Sequence, residues 1–152
     1  MLDYLTRTDG QPWAYLLRAY ATVILGTVLI ILVASGFVPS PEPVEDDASR
    51  AFIIFVLLGL WPVVGTGLIQ GLLIPARRFA PTYWHAAAGT ALVIAVLLTL
   101  LGGPIAGIVY AWPFFVYSVT FLAWQLVSTT HAWVMTVLLQ AMVNLLPALL
   151  SG

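Results

Sequence analysis

The chain has 152 residues, of which 62% are apolar and only 7% are charged, and its mean hydropathy is +1.05. This composition excludes an ordinary soluble domain and indicates a single domain, residues 1–152, that is integral to a membrane. The net charge is −1 without a basic run, which argues against nucleic acid as a partner, and the absence of cysteine excludes disulfides and thiolate metal sites.

The apolar stretches predict an all-α, polytopic helical bundle with about five transmembrane helices. A membrane-spanning helix needs roughly 20 mostly apolar residues. We place the spans at about residues 19–38, 51–74, 84–101, 105–127 and 132–150. Only a Gly-Gly-Pro corner separates the third span from the fourth, so these two should form a tight hairpin.

The arginines predict the orientation. Arg7 and Arg18 precede the first span, and Arg77 and Arg78 lie between the second and third, whereas loop 39–50 is acidic. Positively charged loops favour the cytoplasmic side. We therefore expect a multi-pass protein of a bacterial-type inner membrane, with its N-terminus in the cytoplasm and its C-terminus outside.

The polar residues within the spans are all neutral. No Asp, Glu, Lys or Arg falls in the body of a predicted span, although such charges usually mark ion pathways and catalytic centres in membranes. Gln140 and Asn144 are four residues apart and so share one face of the last helix. We expect these amides, and Gln70, to form interhelical hydrogen bonds.

Two further pairs suggest packing or ligand binding. Gly67 and Gly71 form a GxxxG pattern in the second span, which is typical of helices that approach closely. His85 and His131 lie near span ends, where a solvated or capping imidazole is the ordinary role. Neutral imidazole is also an axial ligand, so a haem or chlorophyll-type pigment is an alternative, but we predict no cofactor and no metal site.

The segment "WPVVGTGLIQGLLIPARRFAPTYW", residues 61–84, resembles the first signature of the CPBP family, the CAAX-protease and bacteriocin-processing (Abi-like) group of intramembrane proteins. The positions that keep the family's frame are Pro62, Gly71, Arg77, Arg78 and Trp84. The resemblance extends over about residues 55–147, which is four of the five predicted spans.

The defining residues of the family are mostly replaced. Gly65 and Thr66 occupy the two glutamate positions, and Gln70 occupies the arginine position. In "AVLLT", residues 95–99, Thr99 stands where the family has histidine. In the last helix Trp133 and Asn144 match the family, whereas Gln140 takes the place of the second histidine.

These departures decide what the resemblance implies. The family's proposed mechanism uses a glutamate, helped by histidine, to activate water, and such a step needs a group that accepts a proton near neutral pH. None of the substituted residues can do so. The resemblance therefore implies a degenerate, non-catalytic member in which Gln70, Thr99, Gln140 and Asn144 converge across a former cavity.

Two classes of function follow from the sequence. The first is a non-catalytic accessory or scaffold subunit of a larger membrane complex, a pseudoenzyme whose partners are other integral membrane proteins and the lipid bilayer. The alternative is an active site within the membrane, either a cofactor- or pigment-binding protein that uses His85 or His131, or a divergent intramembrane hydrolase.

Overall fold

The computed structural model describes residues 2–34, 36 and 50–150, with only the backbone of residues 50 and 150, and in this part of the chain the regular structure is entirely helical. A short 3₁₀ helix, Asp3–Leu5, precedes α1. The α-helices of the described residues are α1 (Pro12–Ala34), the short α2 (Arg50–Phe55), α3 (Trp61–Phe79), α4 (Tyr83–Gln125) and α5 (Thr129–Leu150). A π-helix, Val56–Leu60, joins α2 to α3 without a break.

Helix α4 is a hairpin of two antiparallel arms, residues 83–102 and 104–125. Gly103 has φ 85° and ψ 171°, which interrupts the helix. The Tyr83 hydroxyl donates to the Val119 carbonyl at 2.6 Å, across 36 residues, whereas a straight helix would separate them by about 54 Å. The ring of Trp84 likewise lies 6.2 Å from that of Phe115. The hairpin expected at the Gly-Gly-Pro corner is therefore present.

Among the described residues, four helices are long and apolar enough to cross a membrane. By length and composition the candidates are Pro12–Ala34, Ala51–Phe79, Tyr83–Gln125 and Thr129–Leu149. The third of these folds back on itself at Gly103, so it supplies two crossings. The prediction of an all-α, polytopic membrane bundle with about five spans is confirmed.

The helix ends differ from the predicted ones for local reasons. Helix α1 begins at Pro12 rather than at residue 19, because proline suits the first helical position, where its missing N–H is not needed. Helix α3 runs through Pro75 to Phe79 and ends at Ala80, whose backbone is extended, as is usual before a proline. The predicted end of the first span, residues 35 and 37–38, and the acidic loop 39–49 lie outside the described residues.

The C-terminal arm of α4 forms the centre of the bundle. It packs against α1 and α5, and α3 also packs against α4. Its buried side chains include Phe114, Val119 and Phe121. Two hydrogen bonds tie α1 to this arm: Trp112 donates to the Thr22 carbonyl at 2.9 Å, and the Tyr15 hydroxyl contacts that of Thr120 at 3.2 Å.

One end of the bundle collects most of the basic residues. Tyr15 near the start of α1 stacks edge-on against Trp124 near the end of α4, with ring centroids 5.4 Å apart. Arg77, near the end of α3, donates to the Gln125 side chain at 2.8 Å. The start of α1, the end of α3, both ends of α4 and the start of α5 therefore share what we call the basic end. Its arginines are Arg7, Arg18, Arg77 and Arg78.

Candidate functional site

Three hydrogen bonds run along what we call the α3–α5 seam, where α5 packs antiparallel to α3 and the π-helix. Trp133 donates to the Gln70 side chain at 2.8 Å. Further along, the Gln140 amide donates to the Thr66 hydroxyl at 2.9 Å. At the far end the Asn144 amide donates to the Leu57 carbonyl, also at 2.9 Å. The amides of the last helix thus bond to another helix, as polar groups in hydrocarbon should.

Gln140 and Thr66 form the buried middle of the seam. Both are essentially inaccessible, at 1% and 0% exposure. The amide fits because residue 65 is glycine: a Cβ built there would lie 2.5 Å from Gln140 Oε1. Gln140 Oε1 itself has no hydrogen-bond partner in the described part of the chain. The two positions that the resemblance assigns to glutamate therefore lie beside the position that it assigns to the second histidine.

The π-helix gives the seam its outer anchor. The Trp61 amide bonds to the Val56 carbonyl, five residues back, which is the π pattern. Asn144 supplies a side-chain donor to the Leu57 carbonyl inside this segment. Within a bilayer an irregular backbone is tolerated only where other groups satisfy it. Asn144 therefore has a structural partner that no sequence pattern indicated.

Thr99 lies outside the seam, so the expected convergence of four residues is wrong for this position. Its hydroxyl donates to the Ala95 carbonyl of its own helix at 2.8 Å. Its side chain packs against Gly107 inside the α4 hairpin, where a Cβ would collide with it. The tight hairpin turns Thr99 toward the other arm of α4. The remaining three residues lie in a row along the α3–α5 seam rather than in a cluster, and each has a different partner.

The two glycines of the GxxxG pattern have different environments. A Cβ at Gly67 would lie 3.5 Å from Trp133, which is ordinary van der Waals contact. A Cβ at Gly71 would meet nothing within 4 Å, so Gly71 takes no part in packing between the described helices. The closest approaches occur instead at Gly107, against Thr99, at Gly26, against the Trp112 side chain, and at Gly65, against Gln140.

His85 and His131 both lie at helix starts at the basic end. Thr82 caps α4, and its hydroxyl lies 2.6 Å from His85 Nδ1. Ser128 has the same arrangement at α5, with 2.6 Å to His131 Nδ1, and accepts from the His131 backbone amide at 3.0 Å. Serine and threonine satisfy the free amides of a first helical turn in this way. Each imidazole therefore hydrogen-bonds to the hydroxyl that caps its own helix.

The chemistry of the seam is that of neutral donors and acceptors. Its groups are amides, a hydroxyl and an indole N–H, none of which is a general base near neutral pH. Among the described residues no group of three or more His, Asp or Glu could hold a metal ion. The seam can hold helices together and can hydrogen-bond a neutral molecule.

A cavity of about 290 Å³ adjoins the seam at the end of the bundle opposite to the basic end. Its walls come from α1, α5, the C-terminal arm of α4 and Trp61. Most of its lining is apolar, and Thr27, Gln140 and Asn144 are among its polar members. Apart from the polar residues themselves, no sequence pattern indicates this cavity, since its walls come from segments far apart in the chain. No family model, curated protein or solved structure matches this chain.

Proposed function

We propose that the protein is a non-catalytic integral membrane protein that serves as an accessory or scaffold subunit of a larger membrane complex. The observation that carries the proposal is the use of the seam: the neutral side chains of Gln70, Gln140 and Asn144 each bond to a group on another helix. These side chains hold the helices together and offer no catalytic group, so we infer that the protein acts by binding other membrane proteins.

Hydrolysis within a membrane would require a group that takes a proton from water. At the positions where the resemblance expects acids and histidines stand Gly65, Thr66, Thr99 and Gln140. Three of these meet in the seam, but they offer an amide and a hydroxyl that are bonded to each other. A degenerate CPBP-like core, with its chemistry lost, is the relationship that we propose.

The outer face of α3 supports the idea of a membrane partner. Gly71 is exposed, with free space above its Cα, and Leu68 on the neighbouring turn is 39% exposed. Small residues let the backbones of two membrane helices approach, and a packing role for Gly71 would require a helix from another protein. We place the complex in a bacterial-type inner membrane, with the basic end facing the cytoplasm.

Affinity purification in mild detergent tests this proposal. We expect wild type to retain specific membrane proteins and Gly71→Ile to lose them, because the isoleucine side chain would separate the two helices. Gly89→Ile is the matched control, since a Cβ there also meets nothing within 4 Å but lies on α4. The proposal fails if both variants are folded and retain the same proteins as wild type.

A cleavage assay tests the absence of catalysis. We expect membranes with wild type and with Gln140→Ala to give equal cleavage of any candidate peptide substrate, because there is no chemical step to remove. Cleavage that disappears in Gln140→Ala, while folding and partner binding persist, would identify the seam as a working hydrolase site.

A further inference from the structure

The cavity beside the seam lies between segments that can cross a membrane, and it is partly open. Its lining includes Ile24 and Val28 of α1, Phe114 of α4 and Val143 of α5. These residues lie in segments that can cross a bilayer, so the molecules that reach the cavity come from the lipid phase. None of the described residues that line it has a charged side chain, and a charge without a partner is costly at this depth. An occupant must therefore be mostly apolar and neutral.

Two of its lining residues carry buried polar atoms without partners. Gln140 Oε1 and Thr27 Oγ1 have no hydrogen bond in the described structure, and both residues line the cavity. Buried polar atoms are usually satisfied, so each of these needs an explanation. A rotation of the Gln140 amide by 180° would only exchange the unsatisfied carbonyl for an unsatisfied N–H. A group that both donates and accepts fits either arrangement, and a hydroxyl does so.

The volume of the cavity indicates how large an apolar group of the occupant fits inside it. An engineered apolar cavity of about 150 Å³ holds a benzene molecule, and this one is about 290 Å³. It therefore has room for about ten to twelve non-hydrogen atoms by that comparison. The π-helix and the Asn144 bond to Leu57 adjoin it, and π-helical turns are frequent at functional sites.

We propose that the cavity between α1, α5 and the C-terminal arm of α4 binds a neutral, hydroxyl-bearing aliphatic amphiphile from the bilayer, with its hydroxyl at Gln140 and Thr27. The aliphatic chain lies against the apolar wall, and the hydroxyl donates to Gln140 Oε1. This site does not depend on the scaffold role, because it faces the interior of the bundle and Gly71 faces outward.

Quenching of Trp61 fluorescence tests the proposal, because Trp61 lines the cavity. The probe is 10-bromodecan-1-ol, whose bromine quenches indole fluorescence on contact. It is added to the purified protein in detergent, and its concentration is expressed as moles of probe per mole of micellar detergent. The difference between wild type and Trp61→Phe isolates the signal of this one tryptophan. We expect saturable quenching with the alcohol, and about tenfold weaker binding of 1-bromodecane, which lacks the hydroxyl.

Three variants separate the hydroxyl site from simple partitioning into the micelle. We expect Gln140→Met to weaken binding of the alcohol about tenfold and Thr27→Val to weaken it severalfold, with little effect of either on 1-bromodecane. Val109→Phe should abolish saturation because its ring occupies the cavity, whereas Val96→Phe, on the exposed face of the other arm, should not. Thr27→Val removes an unpartnered hydroxyl without changing the side-chain shape, so it remains informative if Gln140→Met does not fold.

Equal quenching by the alcohol and the bromoalkane would overturn the proposal, as would a linear response without saturation. In either case water alone would satisfy the polar atoms. The same conclusion follows if wild type and Thr27→Val bind the alcohol equally.

Discussion

Glycine at position 65 makes room for the Gln140 amide. The nearest atom to an added Cβ is Gln140 Oε1 at 2.5 Å, so an alanine there must displace the amide. The bond to Thr66 would then be stretched or broken. We expect Gly65→Ala to lower the free energy of unfolding by about 1–3 kcal/mol, the usual cost of overpacking, measured by thermal unfolding in detergent.

Gly71→Ala is the matched control for that substitution. It lies in the same helix, but its Cβ would meet nothing within 4 Å, so the higher helix propensity of alanine should leave stability unchanged or slightly increased. The role given to Gly65 is wrong if both variants unfold at the same temperature. A second check is Gly65→Ala combined with Gln140→Ala, which should be less destabilised than the sum of the two.

Thr66 and Thr99, the two threonines at motif positions of the family resemblance, should differ in their contribution to stability. The Thr66 hydroxyl accepts a bond from another helix, whereas the Thr99 hydroxyl bonds within its own. We expect Thr66→Val to cost about 0.6 kcal/mol and up to about 1.7 kcal/mol, as interhelical hydrogen bonds in membranes do. Thr99→Val should cost close to nothing. Equal shifts in the midpoint of thermal unfolding would contradict the assignment.

At the scale of the helices, composition and breaker residues predicted most of the fold. The five apolar stretches follow from the need for roughly 20 apolar residues per span. The Gly-Gly-Pro sequence marks the corner at Gly103. The helix ends were less accurate, because a proline such as Pro75 lies inside a helix here and because the apolar pattern does not mark the first turn of α1. Polarity showed that Gln140 and Asn144 would face the bundle.

The partners of these side chains could not be predicted. Which helix faces which depends on packing between segments far apart in the chain, such as Trp133 with Gln70 across 63 residues. The N-terminal segment illustrates the same limit: Leu5 is fully buried, and its carbonyl accepts from Tyr15, although the sequence there is polar and mixed in charge. Thr99 was misplaced because an alignment of apolar helices does not show how closely a hairpin packs.

The corner of the α4 hairpin depends on a single glycine. Gly103 has φ 85° and ψ 171°, a region that is essentially restricted to glycine and costs other residues of order 1–3 kcal/mol. We expect Gly103→Ala to lower the free energy of unfolding by about that amount. The control is Gly89→Ala in the first arm, which has open space and a helical backbone. An unchanged midpoint of thermal unfolding for Gly103→Ala would show that the corner tolerates a side chain.

At the scale of the whole molecule, the exposed apolar and charged side chains lie where the hydrocarbon core and the polar surface of a bilayer would favour them. Leu100 and Leu101 remain 76% and 85% exposed, which is unfavourable in water and expected in lipid or at its boundary. The arginines Arg7, Arg18, Arg77 and Arg78 belong to the basic end. The described part of the bundle thus has an apolar circumference and one end that collects four arginines, and we expect this asymmetry to orient it in the membrane.

The number and direction of the crossings can be tested in intact cells, because the chain has no cysteine of its own. Phe79 at the basic end and Leu101 at the hairpin corner are 87% and 85% exposed, so each can be replaced by cysteine and treated with a membrane-impermeant maleimide. We expect Leu101→Cys to react from outside and Phe79→Cys to react only after permeabilisation, because positive charge favours the cytoplasm. A reporter fused after residue 152 should also be outside. If positions 79 and 101 react from the same side, the arm between them does not cross the membrane, and the count of five spans is wrong.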